Sequence, residues 1–188
     1  MNSQEIKMNL PNKITMLRIC LIPVFIIAFC CSFPYHELTA LIVFCIASAS
    51  DAVDGHLARS RNLITDFGKF MDPLADKLLV TSAFVCLVGV QFVPAWIVIL
   101  ILAREFAVTG LRTLAAADGV VIAASKWGKL KTVTQMIAII ALLLFMIPSM
   151  NFAWLWTFGQ IMIYVCAVMT LISGIDYFVL NKGVFKSM

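Results

Sequence analysis

Two pairs of aspartates lie in the stretch DAVDGHLARSRNLITDFGKFMDPLAD, which runs from residue 51 to residue 76. Asp51 and Asp54 are three residues apart, and Asp72 and Asp76 are four apart. Each pair therefore shares one face if its segment is helical. Carboxylate oxygens gathered from two helix ends are the ligands that a hard divalent cation such as Mg²⁺ prefers. The spacing predicts a metal site.

The alternative is that these acids face the water at a membrane surface and bind nothing in particular. One carboxylate at the centre of a bilayer costs about 2.5 to 3.5 kcal/mol, and four of them left unpaired would cost on the order of 10 kcal/mol. That cost favours a cluster that holds positive charge.

The composition identifies the kind of element that must position these acids. Hydrophobic residues make up 62% of the 188 residues, charged residues make up 13%, and the mean hydropathy is +1.01. Soluble domains do not have this composition, so we expect an integral membrane protein. The first apolar run continues as a full span without a small-residue cleavage site, so we expect no removed signal peptide.

A membrane span needs about 20 apolar residues. On this basis the chain, residues 1–188, is predicted to be a single all-α membrane domain. Its six transmembrane helices are placed at about 14–33, 38–57, 74–93, 95–117, 130–148 and 154–180.

The basic residues set the predicted topology. All 14 Lys and Arg residues fall on one side of the predicted spans, or in the halves of spans that lead to it. The loops on the other side hold a single charge, Glu37. By the positive-inside rule the basic side is cytoplasmic, so both termini and the aspartates are placed there. The net charge of +4 is explained by this topology and gives no case for nucleic acid binding.

The N-terminal segment is predicted to form a short interfacial helix before the first span. Asn9 can cap this helix, and Pro11 suits its first turn. Asn12, Thr15 and Arg18 recur every three residues, so they can form a polar stripe that faces the acids. The alternative is that Arg18 snorkels to the headgroups.

Two features flank the aspartates. Pro73 disfavours helical geometry at the residue before it, so we predict that the third span begins with Asp72 as its cap and Asp76 one turn inside. Gly55 and Gly68 can let the backbone approach a flat or phosphorylated ligand closely.

Charged residues also interrupt the fourth predicted span. Arg104 and Glu105 lie near its middle, so they should face the bundle interior or a wet cavity. Arg104 and Arg112 are about 80° apart on a helix. We do not expect Arg104 to pair with Glu105, because adjacent residues point in different directions. The fifth span begins with three lysines that can also serve simply as cytoplasmic anchors: Lys126, Lys129 and Lys131.

Written with its fixed positions, the stretch of residues 51–76 reads DxxDGxxAR, then eight residues, then GxxxDxxxD. This pattern resembles the signature of the CDP-alcohol phosphatidyltransferase family at all its fixed positions. The resemblance covers essentially the whole chain. It implies six membrane helices, a homodimer, and an active site at the cytosolic end of a polar cavity in a bacterial inner membrane.

The resemblance also implies roles for the signature residues. CDP-diacylglycerol would be attacked by an alcohol with release of CMP, and two Mg²⁺ or Mn²⁺ ions would be held by the four aspartates. Asp76 would in addition be the catalytic base that takes the proton of the acceptor hydroxyl. The CDP-diacylglycerol site would be shaped by the remaining signature residues: Gly55, Ala58, Arg59 and Gly68.

The segments NLPNKITMLR, MDPLADK and SKWGKLKTVTQ are similar to family members whose acceptor is glycerol 3-phosphate. Guanidinium groups suit phosphate, so the candidates to bind this acceptor are Arg104, Arg112, Lys126 and Lys129. Further polar lining is assigned to Asn12, Thr15, Arg18 and Thr132. Serine, inositol phosphate and phosphatidylglycerol remain alternative acceptors, because the fold alone does not determine the acceptor.

Two other classes of protein compete with an enzyme. A divalent-cation transporter also uses intramembrane acids, but its path should place polar residues in both halves of the bilayer. Here the halves away from the basic side carry almost no charge. A lipid-binding bundle without activity is disfavoured by the complete set of acids.

Overall fold

The computed structural model describes residues 10–60, 66–117, 122 and 125–181, without the side chains of residues 10, 11, 51–60, 66–70, 72 and 117. Within these ranges the chain is helical and contains no strand, so the all-α prediction is confirmed. Each predicted span falls on one long helix. The helices are α1 (Leu10–Cys30), α2 (His36–Ser60), α3 (Asp66–Gly89), α4 (Ala95–Ala117), α5 (Lys126–Met146) and α6 (Ala153–Leu180), with a 3₁₀ turn at Pro148–Met150.

The start of α1 differs from the prediction of a separate interfacial helix. Asn9, the predicted cap, lies outside the described residues. From Leu10 onward α1 is continuous to Cys30, so the expected short helix is part of the first long helix. Pro11 is compatible with this continuity because the first N–H groups of a helix have no partner within the helix.

The start of α3 corrects a second prediction. Asp72 is not a cap, because α3 begins at Asp66 and contains Pro73. A proline inside a helix removes one hydrogen bond to the carbonyl four residues earlier. Here the helix continues across that lost bond, and both Asp72 and Asp76 have helical backbone.

The chain divides into two compact units, residues 1–86 and residues 87–188. In the first unit α1 packs along α2. Three buried phenylalanines support this contact: the ring of Phe25 lies 6.0 Å from that of Phe29 and 5.7 Å from that of Phe44, measured between centroids. The two helices that carry the polar stripe and the first aspartate pair therefore share a packed apolar face.

In the second unit α6 packs against both α5 and α4. Gly159 of α6 faces Leu142 of α5, whose side chain is fully buried. Small residues let helices approach closely. Serine at position 125 caps α5, since the Oγ atom of Ser125 accepts a hydrogen bond of 3.1 Å from the N–H of Gly128.

The apolar helices give the molecule membrane character. Among the described residues, the segments Asn12–Cys30, Lys126–Met146 and Ala153–Leu180 are long and apolar enough to cross a membrane. The apolar part of α2, His36–Ser50, is shorter. In α4 the apolar run is interrupted by Arg104, Glu105 and Arg112. The count of six spans stays a prediction.

Replacing Gly159 by alanine should destabilise the second unit. The added methyl carbon would lie 2.7 Å from Cδ2 of Leu142 and 3.1 Å from its Cγ, so the buried leucine or the helices must shift. Overpacking of this kind costs about 1 to 3 kcal/mol. Thermal unfolding in detergent micelles measures the change.

The matched control is Gly110→Ala in α4, where an added Cβ meets no atom within 4 Å. This change should be neutral or stabilising by up to about 1 kcal/mol, because alanine favours the helix. Equal unfolding midpoints for the two variants would contradict the packing argument.

Candidate functional site

The four aspartates predicted to bind metal all lie on helical backbone. Asp51 and Asp54 belong to the last turns of α2, and Asp72 and Asp76 lie inside α3. The spacing argument required helices at both pairs, and that condition is met. An all-carboxylate donor set also fits a hard divalent cation.

The side chains of these aspartates are described only in part. Asp76 is partly buried, whereas the side chains of Asp51, Asp54 and Asp72 lie outside the described residues. No group of three or more His, Cys, Asp or Glu residues converges within the described part of the chain. Asp76 is the one member of the four whose side chain is described, so the metal assignment stays a prediction.

The predicted nucleotide residues lie on the same two helices. Gly55, Ala58 and Arg59 belong to the end of α2, and Gly68 belongs to the first turn of α3. Their side-chain positions are outside the described part of the chain, so their roles also stay predictions.

The polar stripe of α1 is buried. Asn12, Thr15 and Arg18 are 2%, 0% and 0% exposed. The Nε atom of Arg18 donates a hydrogen bond of 3.3 Å to Oγ of Ser50, which donates one of 2.7 Å to the carbonyl of Ala47. Ser50 directly precedes Asp51. Arg18 therefore does not snorkel, and the stripe meets α2 beside the first aspartate position.

In the second unit both arginines of α4 contact α6. Arg104 donates from Nη2 to Oγ of Ser173, and Arg112 donates from Nε to Oη of Tyr177 at 2.7 Å. The guanidinium carbon of Arg112 also lies 5.4 Å from the centroid of the Tyr177 ring. Ser173 and Tyr177 are buried and four residues apart on α6. Both arginines of α4 therefore contact the same face of α6.

The other acceptor candidates lie at the start of α5. Lys126 and Lys129 are exposed, and so is Thr132, which donates a hydrogen bond of 3.2 Å to the carbonyl of Gly128. Exposure at a helix start is compatible both with ligand binding and with membrane anchoring.

A third lysine of α5 is buried, and the sequence reasoning did not include it in the site. Lys131 is 1% exposed, and its Nζ atom donates to Oε1 of Glu105. The same Oε1 atom lies 3.7 Å from Nη1 of Arg104. The expectation that Arg104 and Glu105 do not pair is wrong. The rule for adjacent residues concerns only the directions in which their Cβ atoms point. The arginine side chain is long enough for its guanidinium group to approach the carboxylate of the next residue all the same.

Two glycines border the side chain of Arg104. A Cβ atom on Gly128 of α5 would lie 3.5 Å from Nη2, and a Cβ atom on Gly174 of α6 would lie 3.4 Å from Cγ. A methyl group at either position would make an ordinary van der Waals contact with the Arg104 side chain, so both helices pack closely around it.

The missed residues of α6 had a signal in the sequence. Thr170, Ser173 and Tyr177 recur at intervals of three and four residues in a largely apolar segment, which is the spacing of one helical face. All three are buried. A polar face on an apolar helix indicates a polar partner, and α4 provides it.

A helical membrane-type chain with paired aspartates on α2 and α3, and with buried cations on other helices, has the features of an enzyme that handles phosphorylated lipid precursors. The chain belongs to the CDP-alcohol phosphatidyltransferase family, whose pattern matches residues 8–182. The match extends over both compact units.

Individual relatives share one name. The chain is 46% identical to the CDP-diacylglycerol–glycerol-3-phosphate 3-phosphatidyltransferase of Bacillus subtilis, over 95% of this chain and 98% of the relative. It is 40% identical to the protein of the same name from Rickettsia bellii, over 96% and 99%. A probable phosphatidylglycerophosphate synthase of Mycobacterium tuberculosis is 37% identical, over 90% of this chain and 79% of the relative.

Proposed function

We propose that this chain transfers the phosphatidyl group of CDP-diacylglycerol to sn-glycerol 3-phosphate, which gives phosphatidylglycerophosphate and CMP. The observation that carries the proposal is the identity, over nearly the whole chain, to relatives named for that reaction. The complete set of signature residues and the arginine contacts between α4 and α6 are what this chemistry needs.

In the reaction, the acceptor hydroxyl oxygen attacks the phosphorus that carries the diacylglycerol, and the bond from that phosphorus to the CMP oxygen breaks. Asp76 takes the hydroxyl proton on a carboxylate oxygen. Asp51, Asp54, Asp72 and Asp76 would hold two divalent cations, Mg²⁺ or Mn²⁺. When bound, such ions neutralise charge on the phosphate under attack and on the leaving group.

The remaining signature residues act on the nucleotide. Gly55 and Gly68 let the backbone approach it, Ala58 leaves room beside it, and Arg59 supplies a positive charge for its phosphates.

The cations of the second unit bind the acceptor phosphate. Ser173 holds the guanidinium of Arg104 and Tyr177 holds that of Arg112, so both groups are oriented before the acceptor arrives. Guanidinium groups bind phosphate through charge-assisted hydrogen bonds. Lys126 and Lys129 add positive charge at the start of α5. Asn12, Thr15, Arg18 and Thr132 are polar lining.

We also propose that the whole chain, residues 1–188, forms one catalytic domain with six spans in a bacterial inner membrane. Its termini and active site face the cytoplasm, because the basic residues are confined to one side. A homodimer follows from the family resemblance. Light scattering of the purified protein, corrected for detergent mass, tests the dimer, and a monomeric mass would contradict it.

Purified protein with CDP-diacylglycerol and Mg²⁺ should convert radiolabelled glycerol 3-phosphate into lipid. Excess EDTA should stop the reaction, and Mg²⁺ or Mn²⁺ should restore it. Sealed inside-out vesicles should be active with added glycerol 3-phosphate, whereas sealed right-side-out vesicles should not. Faster incorporation of serine or inositol phosphate would reject this acceptor, and full activity in EDTA would reject the metal requirement.

Asp51→Asn and Asp76→Asn should both abolish turnover, for different reasons. Asp51→Asn removes one ligand charge, so binding of Mn²⁺, measured by electron paramagnetic resonance, should weaken strongly. Asp76→Asn removes the base and should leave more of the Mn²⁺ binding intact. If Asp76→Asn lost all Mn²⁺ binding and Asp51→Asn kept it, this division of roles would be wrong.

Arg104→Ala and Arg112→Ala should raise the KM for glycerol 3-phosphate far more than the KM for CDP-diacylglycerol. The loss of a charge-assisted contact costs about 1.5 to 3 kcal/mol, which is about tenfold to a hundredfold in binding. Thr113→Ala is the control, because this exposed residue bonds only to the Thr109 carbonyl of its own helix among the described contacts. Equal effects of the arginine variants on both KM values would indicate a structural role.

A further inference from the structure

Two cationic side chains of the second unit lie against one carboxylate oxygen. Oε1 of Glu105 accepts a hydrogen bond from Nζ of Lys131 and lies 3.7 Å from Nη1 of Arg104. The first contact is a hydrogen-bonded ion pair, whereas 3.7 Å is beyond hydrogen-bond distance. Glu105 is therefore hydrogen-bonded by Lys131 and forms a longer ion pair with Arg104.

The charges of the trio leave one positive charge over. Lys131 and Arg104 carry one positive charge each, and Glu105 carries one negative charge. The second acid of this region, Asp176 of α6, forms no ion pair with Arg104 in the described part of the chain. Because Lys131 neutralises Glu105, the remaining positive charge belongs to Arg104.

Burial distinguishes the roles of the two cations. Lys131 is 1% exposed, and its ammonium group is used by Glu105, so a soluble anion has little access to it. The side chain of Arg104 is 11% exposed, and its buried Nε atom has no hydrogen-bond partner in the described structure. Arg104 thus keeps donor capacity for an anion, as a group of five N–H donors can.

We propose that Lys131 sequesters Glu105, and that this sequestration keeps Arg104 available to bind the phosphate of the acceptor. Lys131 is on this account a positioning residue that acts through Glu105. The inference rests on the proposed function, because it takes Arg104 as a ligand of the acceptor phosphate. Without the charge of Lys131, the Glu105 carboxylate would close onto the guanidinium of Arg104 and compete with phosphate for the same N–H groups.

A pair of variants tests this proposal. Lys131→Met should raise the KM for glycerol 3-phosphate about tenfold or more, because one charge-assisted contact of Arg104 is lost to Glu105. The KM for CDP-diacylglycerol should change little. The double variant Lys131→Met/Glu105→Gln removes the competing carboxylate as well, so it should recover most of the affinity for glycerol 3-phosphate.

Two results would overturn the proposal. If the double variant bound glycerol 3-phosphate as poorly as the single variant, Lys131 would itself be the phosphate ligand. If Lys131→Met lowered turnover with no selective change in the KM for glycerol 3-phosphate, its role would be structural only. If Lys131→Met does not fold, Lys131→Gln replaces it, since glutamine keeps a donor for Glu105 without the charge. Adding Glu105→Gln to Lys131→Gln should then restore the affinity for glycerol 3-phosphate, and a failure to restore it would overturn the proposal.

A binding measurement separates this inference from the proposed function. Stabilisation of the purified protein against thermal unfolding by glycerol 3-phosphate, and by inorganic phosphate, needs no turnover. The unaltered protein and the double variant should be stabilised, and Lys131→Met should be stabilised clearly less at the same ligand concentration. If this order holds while the unaltered protein fails to use glycerol 3-phosphate, the proposed acceptor is wrong and the role of Lys131 stands. If all three proteins respond alike, the role of Lys131 is wrong.

Discussion

The ion pair between Lys131 and Glu105 is the interaction on which the second unit depends. A buried ammonium group is tolerated only with a partner, since removal of one member of such a pair leaves an uncompensated charge and is strongly destabilising. Lys131 is on α5 and Glu105 is on α4, whereas α4 and α5 each pack against α6. The pair therefore links the two helices that α6 contacts separately, and both arginines of α4 contact α6, at Ser173 and at Tyr177.

The same constraint acts on Arg18 in the first unit. This arginine is 0% exposed on a helix whose other buried residues are largely apolar, and it donates to the hydroxyl of Ser50. A positive charge buried beside Ser50 is compatible with the aspartates that begin at the next residue, Asp51. It also gives a physical reason for the polar stripe of α1.

The helices were predictable and their contacts were not. Apolar runs bounded by polar loops located all six helices, because a span must be long and apolar whatever it packs against. The beginning of α3 was misplaced because the rule for residues before proline describes a preference, and α3 continues through Pro73. Lys131 resembled its neighbours Lys126 and Lys129 in the sequence. Whether a lysine near a helix start is buried depends on what faces it, and Glu105 is 26 residues away.

The signature and the cations proposed to bind the acceptor occupy different parts of the chain. The signature lies at residues 51–76, whereas the cations and Glu105 lie between residues 104 and 131. The signature residues match a pattern that defines a class of reaction, and this reaction can use the hydroxyl group of any acceptor. The second group acts through its positive charge: because Lys131 neutralises Glu105, Arg104 and the other cations keep their charge for an anion, and a neutral acceptor would gain little from it. On the proposed function, the choice of acceptor therefore depends less on the number of basic residues than on which of them is already neutralised within the protein.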